Sequence, residues 1–410
     1  RGKDQAADFF PVSRFRSIFY RPDVIAGIIK YRDERKAVML SDEVSGRRHR
    51  EPAIEKILPP VVTILSPADG SAVYAPEVAL TFALRSPSGE PVTSIRVLVD
   101  GRPVLTQRKL SLKPRGELMQ TLRVAIPERD ADVSVIAANR HAASVPFMIR
   151  LHWNGKVAAE KSVVKPNLYV LAVGVSQYRD RSLRLGFAAK DAQDFAGFME
   201  RQKEGLYRDV AVRGLTDRMA TKENILDGLA WIRRETTAQD VAMIYLSGHG
   251  MNDSEGIFHF LPVNARIERL KRTGVSFSHI RDAVASLAGK AVLFLDARHS
   301  GNESVPGLAS ADMTAAVNEL ADAENGAVVF SSSMGGQYSI KDKAWENGAF
   351  AKALVEGMSG RADDEVKGSI TIHLLDRYLF ERVKELTMGR QTPIMIQPRT
   401  IRDFPVASRR

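Results

Sequence analysis

Residues 241–250, VAMIYLSGHG, and residues 291–301, AVLFLDARHSG, decide how this chain is read. Each is a nearly uninterrupted apolar run that breaks into small and polar residues at its end. A His between two glycines, as in SGHG, is expected to have little steric cover and to be free to face a substrate. Short runs rich in Val, Ile, Leu and Phe are the signature of strands buried on both faces. Two such strands with polar ends, about fifty residues apart, can lie side by side at one sheet edge. The surrounding sequence repeats the pattern. LYVLAVGV (168–175), DVAVRGLTD (209–217), GAVVFSSS (326–333) and TPIMIQP (392–398) read as further strands. Between them come segments with helical spacing. Ala188–Arg201 places Ala192, Phe195, Ala196 and Met199 on one face, and Thr221 can cap a helix running through Arg234. Phe277–Leu287, Asp312–Ala323, Phe350–Met358 and Ile372–Leu386 complete the series. Strands alternating with helices predict an α/β fold, a mostly parallel sheet flanked by helices on both faces, with its site at the carboxyl ends of the strands.

Upstream the character changes. Residues 59–153 hold VVTILSPADGSAV, EVALTFALRS, SIRVLVDGRPV, MQTLRVAIP and DVSVIAANRHAASVPFMI, short Val/Ile/Leu-rich strands separated by turn residues. Asp100–Gly101 between VLV and PVL is a hairpin signal. The pattern predicts a small antiparallel β-sandwich of immunoglobulin-like type, an adhesion or spacer module in which no chemistry stands out. Residues 1–58 have mixed charge, with apolar content concentrated in RFRSIFYRPDVIAGII (14–29). They are expected to form an N-terminal arm or linker, helical after Pro22 and packing on another domain. The remainder, 166–400, is the expected α/β domain.

Composition narrows the function. The 410 residues carry a formal charge of +10, but the excess sits early: residues 151–410 hold 35 Lys and Arg against 32 Asp and Glu. No basic stripe interleaved with aromatics runs through that segment, so no nucleic-acid groove is expected. The cluster Arg47, Arg48, His49, Arg50 reads as a solvated linker, with attraction to an acidic surface as the sharper alternative. No stretch reaches the roughly 18 apolar residues of a membrane helix, and no membrane partner is expected. No charged start followed by an apolar core opens the chain at Arg1; a cytoplasmic setting is favoured, with an export leader lost upstream as the alternative. Cys is absent, which excludes disulfides, thiolate metal sites and a cysteine nucleophile.

LYVLAVGVSQYRD, LRLGFAAKDAQDF, YLSGHG, LFLDARHSG, FSSSMGGQYS, NGAFAKALVEGM and GRQTPIMIQP occur in that order across 166–400. Together they resemble the caspase-like cysteine peptidases, closest to the bacterial metacaspase or orthocaspase type. The resemblance implies that His249 matches the general base, Gly250 an oxyanion N–H, and residue 298 the nucleophile, with the residue 298 N–H as a second donor. Residue 298 is Arg, in DARHSG. A guanidinium stays protonated and can neither attack a carbonyl nor pass a proton to His249. The family's pocket for a basic residue maps onto Asp191, Ser247 and Asp296. Two carboxylates facing one pocket would favour a guanidinium through charge-assisted hydrogen bonds.

Three readings follow: a pseudopeptidase with a remnant acidic pocket that binds proteins or peptides through Arg or Lys; an Arg/Lys-specific cysteine endopeptidase whose nucleophile has been replaced in this chain; and a structural adaptor with a vestigial pocket. No cofactor and no metal are expected. His249, His259 and His299 match no zinc spacing, and Asp253 and Glu255 are too few to specify calcium. Ser300 and His299 point elsewhere than residue 298 and are poor substitutes for the nucleophile. Arg298 itself is expected to reach Asp296 or Asp191. No Lys or Arg lies between Arg298 and Lys341, so that loop is expected to stay uncut by a basic-specific peptidase.

Overall fold

The computed structural model describes residues 8–15, 19, 21–45, 53–108, 117–155, 165–253, 257–299, 326–333, 341–342, 345–363 and 368–409. The chain divides into two compact units, Arg1–Val157 and Ala158–Arg410.

The first unit opens with two helices, α1 (Pro22–Tyr31) and α2 (Glu34–Ser45). The sequence reading found the first, through Pro22 at its start, but not the second, whose low apolar content hides it. Eight strands follow: β1 (Val61–Ser66), β2 (Ser71–Val73), β3 (Glu77–Arg85), β4 (Ser94–Val99), β5 (Arg102–Arg108), β6 (Glu117–Ala125), β7 (Ala131–Ala138) and β8 (Phe147–Trp153). They form a three-stranded sheet, β1-β3-β6, and a five-stranded sheet, β2-β8-β7-β4-β5. One core unites inward residues of both, Phe82, Leu84, Val97, Val124, Val135 and Leu151 among them. The Asp100–Gly101 hairpin forms with both residues at positive φ, 50° and 78°, the left-handed pair that suits the twist of the strands it joins. One pairing departs from the all-antiparallel expectation: β2 runs parallel to β8.

The second unit is built on β9 (Leu168–Gly174), β10 (Val210–Thr216), β11 (Val241–Asn252), β12 (Phe258–Phe260), β13 (Val275–Ser276), β14 (Lys290–His299) and β15 (Ala327–Ser331). Hairpin strands β16 (Lys341–Asp342) and β17 (Asn347–Gly348) follow, then β18 (Ser369–Thr371), β19 (Ile394–Ile396) and β20 (Pro405–Ser408). The main sheet runs β10-β9-β11-β14-β15-β19, parallel throughout except for the edge strand β19; β12 and β13 extend it antiparallel beyond the end of β11. Chain order reverses between β9 and β11: the chain leaves β9 for β10 on one side and takes up β11 on the other. Such switch points open a crevice at the carboxyl ends of the strands.

Helices cover both faces, as the all-apolar strands require. Against one face pack α4 (Lys222–Glu235) and α5 (Phe277–Ala285), burying Leu229, Ile232, Ile280 and Val284. Against the other pack α3 (Ala188–Glu200), α6 (Ala349–Glu356) and α7 (Ile372–Leu386), burying Phe195, Phe350, Leu354, Leu375 and Leu379. Thr221 caps α4 as expected, accepting from the Asn224 N–H at 3.2 Å. The expected helix at Asp312–Ala323 lies outside the described residues.

The approach of α3 to β9 depends on Gly174. A Cβ there would strike the Ala188 carbonyl and lie 2.7 Å from the Ala192 methyl. Gly174→Ala is therefore expected to cost about 1–3 kcal/mol through overpacking, lowering the melting midpoint of the second unit by several degrees. Gly214→Ala, with nothing within 4 Å of its added methyl, serves as the near-neutral control. Equal midpoints for the two variants in calorimetry would contradict the assignment.

Candidate functional site

The register of β11 against β14 brings the two informative strand ends together. Ser247 pairs with Asp296, Gly248 with Ala297, His249 with Arg298 and Gly250 with His299. Lateral neighbours in a sheet share a face and lie about 4.8 Å apart. Residue 298 therefore stands beside His249 in the ladder, two residues beyond Asp296. The side chains of Arg298 and His299 lie outside the described residues, as do Ser300, Glu255 and the loop that follows. The expected reach of Arg298 toward Asp296 or Asp191 falls there too.

His249 is held from three directions. Its backbone N–H donates to Tyr178 Oη at 2.8 Å, and its carbonyl accepts from the Leu261 N–H at 2.9 Å. Its ring Nε2 lies 2.9 Å from the Leu183 carbonyl. A carbonyl oxygen can only accept, so Nε2 carries the hydrogen and, in the neutral ring, Nδ1 carries the lone pair. Tyr178 in turn donates to the Leu261 carbonyl at 3.2 Å, and burial pushes its phenol well above the usual tyrosine range, so it stays a neutral donor. The Leu183 carbonyl is presented by a single turn, Arg181–Leu183, capped by Asp180, which accepts from the Ser182 N–H and Oγ at 2.9 and 2.7 Å. Those hydrogen bonds hold the Asp180 carboxyl below its ordinary range.

The glycines around His249 play the opposite part to the one expected. In sequence they seemed to leave the imidazole with little steric cover. Instead His249 is only 8% exposed. A Cβ at Gly248 would meet Tyr178 Oη at 2.8 Å and the Phe260 ring at 3.0 Å, and one at Gly250 would strike the Phe258 ring. The glycines admit the aromatic side chains that enclose the histidine.

The three residues expected to line a pocket are deeply buried: Asp191 and Ser247 are 0% exposed and Asp296 is 1%. Asp191 neither faces solvent nor caps its own helix. Its Oδ1 accepts from the Gly348 N–H at 3.0 Å and from Asn347 Nδ2 at 3.1 Å. Asn347 Nδ2 also donates to Asp194 Oδ2 at 2.7 Å, which Lys190 reaches at the same distance. Asp191 thus ties the first turn of α3 to β17 and the start of α6. Tyr245 joins this group unannounced. Its ring stacks on Phe195, one helical turn from Asp191, with centroids 4.9 Å apart. Burial raises its phenol pKa well above the usual range, and the charges of Asp296 and Asp191 push the same way. A neutral hydroxyl therefore sits near both carboxylates.

Sequence reasoning missed Tyr178, Tyr245 and the Asn347–Gly348 pair as site residues. All three were present in quoted motifs, SQYRD, IYLSGHG and NGAF; nothing in their spacing announced their contacts. The weighed cation sites look different in space. Asp253 spends one carboxylate oxygen on the Ile257 N–H and the other on His259 Nε2, both at 3.0 Å. Among the described residues no group of three His, Asp or Glu side chains is placed to hold a metal, and no helix is long and apolar enough to cross a membrane.

The family model for the caspase domain, Peptidase_C14, matches residues 168–405. No curated protein matches the chain in sequence. Among solved structures, protein GSU0716 from Geobacter sulfurreducens is similar over 59% of this chain and 94% of its own, at 17% identity and a TM-score of 0.40. The fibronectin(III)-like modules of CbhA from Clostridium thermocellum are similar over 24% of this chain and 48% of theirs, at 24% identity and a TM-score of 0.19. The CARDB domain of PF1109 from Pyrococcus furiosus covers 23% of this chain and 94% of its own, at 17% identity and a TM-score of 0.19.

The Tyr178 hydroxyl is the hinge of the histidine's position. Tyr178→Phe keeps the ring but strands the His249 N–H and loosens Leu261; it is expected to cost about 1–3 kcal/mol and to lower the melting midpoint. It should also broaden the imidazole ¹⁵N resonances of His249. An unchanged midpoint with unchanged His249 resonances would show that the hydroxyl does not fix the ring.

Proposed function

This chain belongs to the caspase-domain family, and from that premise we propose that its α/β unit is a pseudopeptidase of the metacaspase or orthocaspase type. It binds proteins or peptides through Arg or Lys and does not cut them. It follows an N-terminal arm (1–58) and an immunoglobulin-like β-sandwich (59–153), and the caspase-like domain spans 166–400.

The observation that carries this reading is the register His249↔Arg298 beside Ser247↔Asp296. An attacking group at residue 298 would be carried by the residue paired with His249 in the ladder. What stands there is a guanidinium, which has no lone pair to attack with and no proton to give up near neutral pH. Loss of the nucleophile removes on the order of 10⁶-fold of rate in hydrolases that work through a covalent intermediate. Losing it does not dismantle the acids. Asp296 toward the end of β14, Asp191 in the first turn of α3 and the neutral Tyr245 hydroxyl remain buried, a group suited to a cationic side chain.

Arg298→Cys tests this directly. The variant is expected to hydrolyse a fluorogenic peptide ending in Arg on the order of 10³-fold or more above the parent chain, with the gain abolished by His249→Ala. Asp296→Asn in that background is expected to reduce the preference for Arg over Gln at the cleaved position by at least about tenfold. A folded Arg298→Cys variant that neither cleaves nor binds an Arg-aldehyde in an Asp296-dependent manner would favour an adaptor with a vestigial pocket and overturn the reading.

A further inference from the structure

A second charge problem lies in the other unit, far in sequence from the strand ends. Arg102 opens β5 and is 5% exposed. Register pairs it with Val99, whose side chain belongs to the sandwich core, so Arg102 starts from the core-facing side of the sheet. Its Nε, Nη1 and Nη2 are all buried, and none has a hydrogen-bond partner among the described residues. Burial is the influence on its titration, lowering the pKa to about 9, so the side chain remains a cation at neutral pH.

The chain offers this cation little of its own. The nearest acid in sequence, Asp100, is committed: Oδ1 accepts from the Asp132 N–H at 3.0 Å, and Oδ2 pairs with Arg129 at 2.6 Å. Residues 101–116 contain no Asp or Glu, but do contain Arg102, Arg108, Lys109, Lys113 and Arg115. A buried guanidinium without a hydrogen-bond partner is among the most unfavourable arrangements a folded protein can hold. It cannot escape by losing its proton at neutral pH. What remains is an anion from outside.

The strand that carries Arg102 is suited to admit one. β5 is the edge of its sheet, hydrogen-bonded to β4 alone, and the β4–β5 ladder is interrupted by a register shift between Val97 and Leu98. An edge strand with a bulged ladder opens locally more readily than a central one. All three nitrogens are shut off from solvent once β5 is in place, so the occupant must be small enough to be enclosed. The planar guanidinium fork suits a carboxylate or an oxyanion of similar size.

We propose that Arg102 is the receptor of an anion-binding site in the β-sandwich unit, taking up a small free carboxylate or comparable oxyanion as edge strand β5 closes over it. The site is independent of the caspase-like domain and of what stands at residue 298.

Acetate is the probe, titrated against chloride into the full chain at fixed ionic strength. The expected result is a saturating rise in the melting midpoint of the β-sandwich and slower hydrogen exchange at the β5 amides. Both responses are expected to vanish in Arg102→Met, which replaces the charge by an apolar chain of similar reach and should melt no lower than the parent without acetate. Arg102→Lys, which keeps the charge but not the fork, should need at least tenfold more acetate for the same shift. The proposal is overturned if acetate acts equally on the parent and Arg102→Met, or if the parent does not respond. It is also overturned if only a peptide-borne carboxylate, supplied as acetyl-Ala-Glu-Ala-amide, produces the response.

Discussion

The parallel ladder between β11 and β14 is the constraint on which the candidate site rests. Side-chain direction alternates along a strand with a period of two, so a slip of one residue would turn Asp296 to the opposite face. The buried apolar pairs that precede them, Met243 with Val292 and Tyr245 with Phe294, share the helix-covered face of α3 and α6 and forbid that slip. The core thereby fixes a polar arrangement that it does not touch: Ser247 beside Asp296, His249 beside Arg298. Chemistry at the strand ends is inherited from packing at the strand centres.

The histidine shows how much support one imidazole takes. Tyr178 holds its backbone, Leu183 orients its ring, and two glycines let aromatic rings close around it. A structural histidine could be buried with less. The combination of a defined tautomer, a lateral neighbour at residue 298 and a nearby acidic cluster is what distinguishes this one. Asp191 fastens α3 to the β17–α6 junction, and its charge adds to the burial that raises the Tyr245 phenol pKa. Removing it would disturb architecture, so Asp296 is the cleaner handle on the proposed specificity.

Much of this was legible in the sequence because strand ends announce themselves: a continuous apolar run stopping at SGHG or DARHSG gives both the element and its polar terminus. Helix faces were legible for the same reason, through spacing. What stayed hidden depends on distances between residues far apart in the chain. Nothing in SQYRD says that its tyrosine will meet a backbone N–H 71 residues later, or in NGAF that its Asn and Gly will meet an aspartate more than 150 residues earlier. The flanking glycines were misread because a missing Cβ suggests open space, whereas here the space is filled by Phe258 and Phe260. α2 escaped notice because its apolar residues are sparse, and Arg102 because a single Arg in a strand looks like surface until its burial is seen.

The central claim is that the unmodified chain has no group at residue 298 able to attack a carbonyl, although a histidine is paired with it in the ladder. Incubating the purified parent chain with a fluorogenic peptide ending in Arg, alongside His249→Ala prepared identically, tests it most directly. The two proteins are expected to give the same background signal. Turnover by the parent that disappears in His249→Ala would contradict the claim.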